Sequence, residues 1–191
     1  SCPADRFEEF VKAHPQHTVI SYVNTTAATK ALTDVVVTSS NAKQIVESFS
    51  EDTPIIFGPD KNLGGYINSV TGRNMLLWDG ACHVHERFSV EKIIELKKQY
   101  PDAKILVHPE CKGAVAKLAD KVGSTAALLK YAIEQPAKEY IVATESGILH
   151  EMQKSCPDKT FIPAPPSDSN CACNECNYMR LITLHKLYNT S

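Results

Sequence analysis

The chain has 191 residues, a formal net charge of -2, 43% hydrophobic residues and 22% charged residues. This balance indicates a soluble globular protein, with neither the basic surface of a nucleic-acid-binding protein nor a long apolar run for a membrane. Seven cysteines without a recognisable signal peptide, three of them crowded at positions 171, 173 and 176, favour a reducing cytoplasm over a secreted disulfide framework.

The first half of the chain alternates short apolar strands with helices. Strands are predicted at 17–23, 34–38 and 54–57, and a helix is predicted at 27–32. Strands of continuous Val and Ile with helices between them are typical of buried parallel sheets with right-handed crossovers. A loop that contains Cys82 and two histidines follows.

The second half repeats the first at a fixed offset. Residues 22–34 align with 108–120 without a gap. A period this long indicates one small domain duplicated, not a solenoid. The predicted elements of this copy are strands at 103–108 and 138–144 and helices at 112–120 and 126–134.

The predicted fold class is therefore α/β, with duplicated three-layer αβα Rossmann-like domains and short parallel sheets. We predict a first repeat at 1–80, a second repeat at 81–172, and a cysteine loop with a C-terminal helix at 173–191. The chain starts and stops abruptly, and we expect further sequence at both ends.

Polar residues follow the predicted strands in both copies. Ligands of parallel sheets bind at the carboxyl ends of the strands, so these side chains are expected to face one site. They are Tyr22, Asn24, Ser39, Asp60, His108, Glu110, Ser124, Thr125 and Glu145.

The cysteines allow several interpretations. The pair Cys173 and Cys176 forms a C-x-x-C motif, which suits zinc, redox chemistry or an iron-sulfur cluster. The repeat favours a metal centre held by one loop of each copy. One alternative is a noncatalytic metal or small-anion binding module with zinc held by Cys171, Cys173 and Cys176. Another hypothesis is a regulatory disulfide between Cys173 and Cys176.

Several motifs resemble those of one known family. They run in order through nearly the whole chain and include Phe57-Gly-Pro-Asp-Lys-Asn-Leu-Gly, Gly80-Ala-Cys-His-Val-His-Glu-Arg-Phe, His108-Pro-Glu-Cys, Ala143-Thr-Glu-Ser-Gly and Cys171-Ala-Cys-Asn-Glu-Cys-Asn-Tyr-Met. In these motifs the chain resembles quinolinate synthase, the A protein of bacterial NAD biosynthesis.

The resemblance implies a pseudo-threefold protein of three homologous α/β domains around a four-iron four-sulfur (4Fe-4S) cluster, with one cysteine ligand per domain. This sequence would supply the second and third domains, with Cys82 and Cys176 as ligands. The third cysteine ligand is expected upstream of residue 1, so the chain alone is expected to be inactive.

The resemblance also implies the reaction and its partners. Iminoaspartate condenses with dihydroxyacetone phosphate to give quinolinate, with loss of phosphate and two waters. Three ligands for four irons leave one iron open to act as a Lewis acid. The implied upstream supplier is an L-aspartate oxidase or dehydrogenase.

Three residues are candidates for proton transfer or for polarising the substrate, and each of them could instead have an ordinary structural role. Glu110 is the candidate general base, although it could simply cap a helix. His108 would orient substrate or share protons, but a lone histidine is more often satisfied by a backbone carbonyl. Tyr22 could polarise a carbonyl, or it could be a core aromatic residue.

The remaining candidates would anchor substrate or support the site. Ser39, Ser124 and Thr125 offer hydroxyls beside helix amino termini, where plain helix N-caps would look the same. Asn24 is expected to face Glu110 by pseudo-symmetry. His85 could contact the cluster or substrate, and Asp60 and Glu145 are assigned support roles.

Overall fold

The computed structural model describes residues 2–167 and 174–189. Its first half forms a four-stranded parallel sheet with the strand order β2-β1-β3-β4. The elements are α1 (Ala4–Lys12), β1 (Thr18–Tyr22), α2 (Ala27–Lys30), β2 (Val35–Val37), α3 (Ala42–Ser48), β3 (Ile55–Gly58), α4 (Lys61–Thr71) and β4 (Leu76–Leu77).

The second half forms an equivalent parallel sheet with the order β6-β5-β7-β8. Its elements are α5 (Val90–Gln99), β5 (Lys104–Val107), α6 (Gly113–Ala116), β6 (Lys121–Val122), α7 (Thr125–Glu134), β7 (Glu139–Ala143), α8 (Gly147–Ser155) and β8 (Thr160–Pro163), followed by α9 (Leu184–Tyr188). The predicted α/β class with short parallel sheets is confirmed.

Both faces of each sheet are covered, which explains why the strands read as continuous apolar runs. On one face of the first sheet, Phe57 of β3 packs with Leu63 of α4, and on the other face Ile56 packs with Phe7 of α1. The second sheet has two equivalent clusters, one for each face. Polar groups are therefore left to the ends of the strands.

The helices α2 and α6 are shorter than predicted, because an aspartate after each helix forms hydrogen bonds with a strand of the sheet. Asp120 donates its N–H to the Ile105 carbonyl at 2.9 Å, and its Oδ2 accepts from the Ile105 N–H at 2.8 Å. Asp34 makes the same two bonds with Val19, at 2.9 and 2.7 Å. These paired bonds begin the next strand, so α6 ends at Ala116 and not near residue 120.

The strands β4 and β8 were not predicted, and the strand expected before Ser124 was predicted without bounds and is β6. The strands β4 and β6 have only two residues each, too few for an apolar pattern, and β8 ends in a proline, as edge strands can. The strands β1–β4 lie within the predicted first repeat and β5–β8 within the second, while the domain boundaries themselves stay predictions. No helix in the described ranges has the length and apolarity to cross a bilayer.

Candidate functional site

A buried carboxylate and two stacked histidines meet where the two copies touch. Oε2 of Glu110 lies 3.0 Å from Nδ1 of His85 and 3.5 Å from Nδ1 of His108. The two imidazole rings stack with their centroids 4.7 Å apart. All three side chains are at least 94% buried. This arrangement brings the predicted Glu110 and His108 together with His85.

The turn after β5 fixes Glu110 and His108. The N–H of His108 donates to the Ala143 carbonyl at 3.1 Å, and the N–H of Cys111 donates back to the His108 carbonyl at 3.0 Å. The N–H of Glu110 donates to Nδ1 of His108 at 3.3 Å, so Nδ1 is the acceptor and the ring proton lies on Nε2. The carboxyl end of β5 thus presents both side chains to one point.

Burial sets the charges of this group. It lowers the pKa of His85 to about 4, and burial followed by repulsion from His85 lowers the pKa of His108 to about 4. Both imidazoles are therefore neutral near pH 7. Burial raises the pKa of Glu110, which His108 partly opposes. A carboxyl group with a raised pKa is suited to accepting and returning protons near neutral pH.

The first copy contributes Ser39 and Tyr22. Nε2 of His108 donates to Oγ of Ser39 at 3.2 Å. Burial, followed by the charge of Glu110, raises the pKa of Tyr22, and hydrogen bonds with Ser39 oppose this rise. The structure therefore joins Tyr22, Ser39, His108 and Glu110 into one polar group that spans both copies.

Three other predicted residues stand apart from this group. Asn24 is exposed on the loop after β1, and Ser124 caps α7 by accepting from the Ala127 N–H at 3.3 Å. Thr125 is the first residue of α7. Within the described ranges, none of the three makes a hydrogen bond to Glu110 or the histidines. Ser39 is not an N-cap, because Asn41 holds that position at α3.

A metal ion could bind beside Glu110. One ligand atom each from Cys82, His85 and Glu110 lie within 4.8 Å of one another. Burial, followed by the charge of Glu110, raises the pKa of Cys82 to about 11. Without a cation this thiol is therefore protonated at neutral pH, and a bound metal would favour the thiolate. Thiolate, imidazole and carboxylate are all common ligands of transition metals.

The loops that carry Cys82 and Cys176 are neighbours. The ring of His83 packs edge-on against Tyr178, with centroids 5.5 Å apart, and both cysteine thiols are free and half-buried. Cys171 and Cys173, on which the zinc alternative and the disulfide hypothesis depend, lie outside the described residues.

Two site residues were missed in the sequence. Thr144 contacts Nε2 of His85 through its hydroxyl at 3.0 Å. Asn62 donates to Oε1 of Glu86 at 2.7 Å and to the Glu110 carbonyl at 3.0 Å, and so ties α4 to the second copy. Both residues lie inside motifs quoted above, but no spacing distinguishes them from their neighbours.

Comparison with known proteins decides the family. The family model described as "NadA: Quinolinate synthetase A protein" matches residues 1–190. The chain belongs to this family. Among curated members of the quinolinate synthetase A family, it is 56% identical to the quinolinate synthase of Synechococcus sp. over 188 residues, which is 98% of this chain and 59% of that protein.

Two further family members give similar figures. The chain is 56% identical to the quinolinate synthase of Nostoc punctiforme and 54% identical to that of Chloroherpeton thalassium, in each case over 98% of this chain and 58% of the relative. The chain therefore spans about three fifths of the length of these quinolinate synthetase A proteins.

Proposed function

We propose that this chain carries part of the active site of a quinolinate synthase. The whole protein would condense iminoaspartate with dihydroxyacetone phosphate to quinolinate, with loss of phosphate and two waters, in de novo NAD biosynthesis. The observation that carries this proposal is the buried Glu110, held between two neutral histidines and beside Cys82. The curated relatives named above are called quinolinate synthases, and they match nearly all of this chain.

The cofactor we propose is a 4Fe-4S cluster held by Cys82, Cys176 and a third cysteine upstream of residue 1. Half-buried free thiols on two touching loops fit such a group, because thiolates are the ligands that iron-sulfur clusters use. With three cysteine ligands, the cluster supplies an open iron that acts as a Lewis acid in the loss of water.

Glu110 is the proposed general base. Its raised pKa allows it to take a proton from substrate carbon and to return one to oxygen. His108 is neutral and donates from Nε2 to Ser39, so it can orient a substrate oxygen without adding charge. Tyr22, near Ser39, would polarise a carbonyl through its hydroxyl.

Substrate anchors would come from both copies. Ser39, Ser124 and Thr125 supply hydroxyls at the carboxyl ends of β2 and β6, and Asn24 supplies an amide after β1. The partners are small molecules, with an L-aspartate oxidase or dehydrogenase as the supplier of iminoaspartate. We place the protein in the cytoplasm, where thiol ligands stay reduced.

Anaerobic iron and sulfide analysis, with a visible spectrum, tests the cofactor. It would be made on this chain and on a version extended upstream to include the third cysteine. Four irons and a brown colour in the extended protein alone are expected. Zinc without iron in both proteins would contradict the proposal.

Quinolinate formation by the full-length protein tests the role of Glu110 as general base. Glu110→Gln keeps the size of the side chain and is expected to lower kcat by about a hundredfold or more, because general-base catalysis contributes on that order. The control is Glu134→Gln on the exposed end of α7. Full turnover by Glu110→Gln with an intact cluster would rule out the role.

A further inference from the structure

A carboxylate at the end of β3 holds the loop that carries Cys82. Oδ2 of Asp60 accepts from the backbone N–H of Cys82 at 2.7 Å, and Oδ1 accepts from the N–H of Leu63 at 2.8 Å. The next residue, Lys61, donates its N–H to the carbonyl of Gly80 at 2.8 Å. The cysteine loop is therefore bound on both sides of Ala81 to the start of α4.

The second copy builds the same connection with a different acid. Oε1 of Glu145, after β7, accepts from the N–H of Cys176 at 3.3 Å, and Oε2 accepts from the N–H of Gly147 at 2.8 Å. The next residue, Ser146, donates its N–H to the carbonyl of Asn174 at 3.0 Å. In each copy, the carboxylate thus accepts from the backbone N–H of the cysteine. The residue after the acid donates its N–H to the carbonyl of the residue two positions before that cysteine.

We infer that Asp60 and Glu145 are positioning residues that fix Cys82 and Cys176 as metal ligands. This inference rests on the proposed function, in which both thiolates hold the metal centre. The two copies form the same hydrogen bonds with different acids, Asp60 in the first and Glu145 in the second. These two positions align only with a shift of one residue. If these carboxylates only stabilised the start of a helix, they would not need to accept a hydrogen bond from the cysteine N–H in both copies.

The two oxygens of each carboxylate have separate tasks. One accepts from the first turn of the following helix, as an N-cap does, and the other accepts from the cysteine. An amide side chain keeps only one acceptor oxygen. Because Asn caps helices as well as Asp does, Asp60→Asn should leave α4 intact and remove the bond to Cys82. Glu145→Gln is the matching change in the second copy.

Amide hydrogen exchange at the cysteines measures these bonds directly. The chain, without metal, would be labelled with ¹⁵N-cysteine and followed by NMR. Asp60→Asn is expected to speed exchange of the Cys82 amide by roughly tenfold or more and to leave Cys176 unchanged, since hydrogen bonds to charged groups are worth more than neutral ones. Glu145→Gln should give the reverse pattern. The amides of Cys111 and Cys156, which donate to His108 and Met152, are internal controls.

The outcomes separate positioning from general stability. Unchanged exchange at Cys82 in Asp60→Asn, or an equal rise at Cys111 and Cys156, would overturn the inference. If Asp60→Asn does not fold, Asp60→Ser retains a capping hydroxyl that is too short to reach Cys82, and the Glu145→Gln arm stands independently.

A second measurement addresses the metal. In the extended protein, Asp60→Asn and Glu145→Gln are expected to bind less iron after reconstitution with iron and sulfide, whereas Glu134→Gln keeps the full content. Faster amide exchange with unchanged iron content would overturn the positioning role. Failure of the parent protein to bind iron would count against the proposed function alone, because the exchange experiment uses metal-free chain.

Discussion

Nδ1 of His85 lies 3.0 Å from Oε2 of Glu110, yet it makes no hydrogen bond of normal geometry within the described ranges. Buried ring nitrogens are normally satisfied, so Nδ1 of His85 is available to a ligand. One ligand atom of Cys82 lies within 4.8 Å of ligand atoms of both His85 and Glu110. The charge of Glu110 therefore acts on the thiol of Cys82, which is proposed to bind metal.

Glu110→Gln is expected to make Cys82 more reactive in the metal-free chain. The carboxylate is the second cause, after burial, of the rise in the pKa of Cys82 to about 11. Removing its charge lowers that pKa, and the thiolate fraction at pH 9 rises by up to about tenfold for each unit by which the pKa falls. The pH dependence of Cys82 alkylation by iodoacetamide, resolved by mass spectrometry, measures the change. An alkylation profile identical to that of Glu134→Gln would contradict it.

Much of this site could be predicted, because parallel strands bring their carboxyl ends to one edge. Tyr22, Ser39, His108 and Glu110 were found in that way, and the contacts between them support the predicted grouping. Asn24 is exposed on the loop after β1, and its place opposite Glu110 stays a prediction. The repeat fixes where the backbone turns, and it does not fix where a side chain points.

The neighbouring glycines of α4 are expected to respond oppositely to alanine. A methyl group at Gly64 would lie 2.6 Å from Cδ2 of Leu77 and 3.0 Å from Cδ1 of the buried Phe57, whereas Gly65 has no heavy atom within 4 Å of the added carbon. Gly64→Ala should lower the free energy of unfolding by about 1–2 kcal/mol through overpacking. Gly65→Ala should raise it by roughly 0.5–1 kcal/mol through helix propensity. Urea denaturation of both variants gives the comparison, and equal effects would contradict the packing argument.

The limits of fold prediction are clearest at the second half of each repeat. The apolar pattern located β1, β2, β3, β5 and β7, which have three to five residues each. It gave no bounds for β4, β6 or β8, since β4 and β6 have two residues each and depend on pairing with a neighbour already in place. Long-range hydrogen bonds, not local pattern, define these elements.

Asp120→Asn is expected to destabilise the chain in a pH-dependent way. Burial raises the pKa of Asp120, but hydrogen bonds from Lys104 and the Ile105 N–H and the charge of Lys104 outweigh it and lower the pKa overall. A lowered pKa in the folded state means that the stabilisation is complete above the unfolded pKa of about 3.9 and is lost as the pH falls through the folded value.

The expected loss for Asp120→Asn is about 1 kcal/mol at pH 7, since the carboxylate is partly exposed and its ion pair is screened. The loss should shrink as the pH falls below the unfolded pKa of about 3.9. Urea denaturation at several pH values measures it, with Asp102→Asn on an exposed turn as the control. A pH-independent difference would show that the charge of Asp120 is not the cause.

Two cations at equivalent positions of the repeat are expected to stabilise the helices that follow β2 and β6. The guanidinium of Arg73 donates to the carbonyls of Val46, Phe49, Ser50 and Glu51 at the end of α3. The ammonium of Lys159 donates to the carbonyls of Ala132 and Gln135 at the end of α7. Cations there satisfy the last carbonyls and complement the helix dipole.

Removing either cation should therefore lower stability, and Arg73 should matter more, because its fork serves four carbonyls. Arg73→Met is expected to cost about 2 kcal/mol and Lys159→Met about 1 kcal/mol of unfolding free energy. Arg73→Lys should recover part of the loss, since an ammonium keeps the charge but not the fork geometry. Thermal unfolding of the three variants tests this order, with Lys154→Met on the exposed side of α8 as the control. If Arg73→Met unfolds at the same temperature as Lys154→Met, the carbonyl contacts do not contribute to stability.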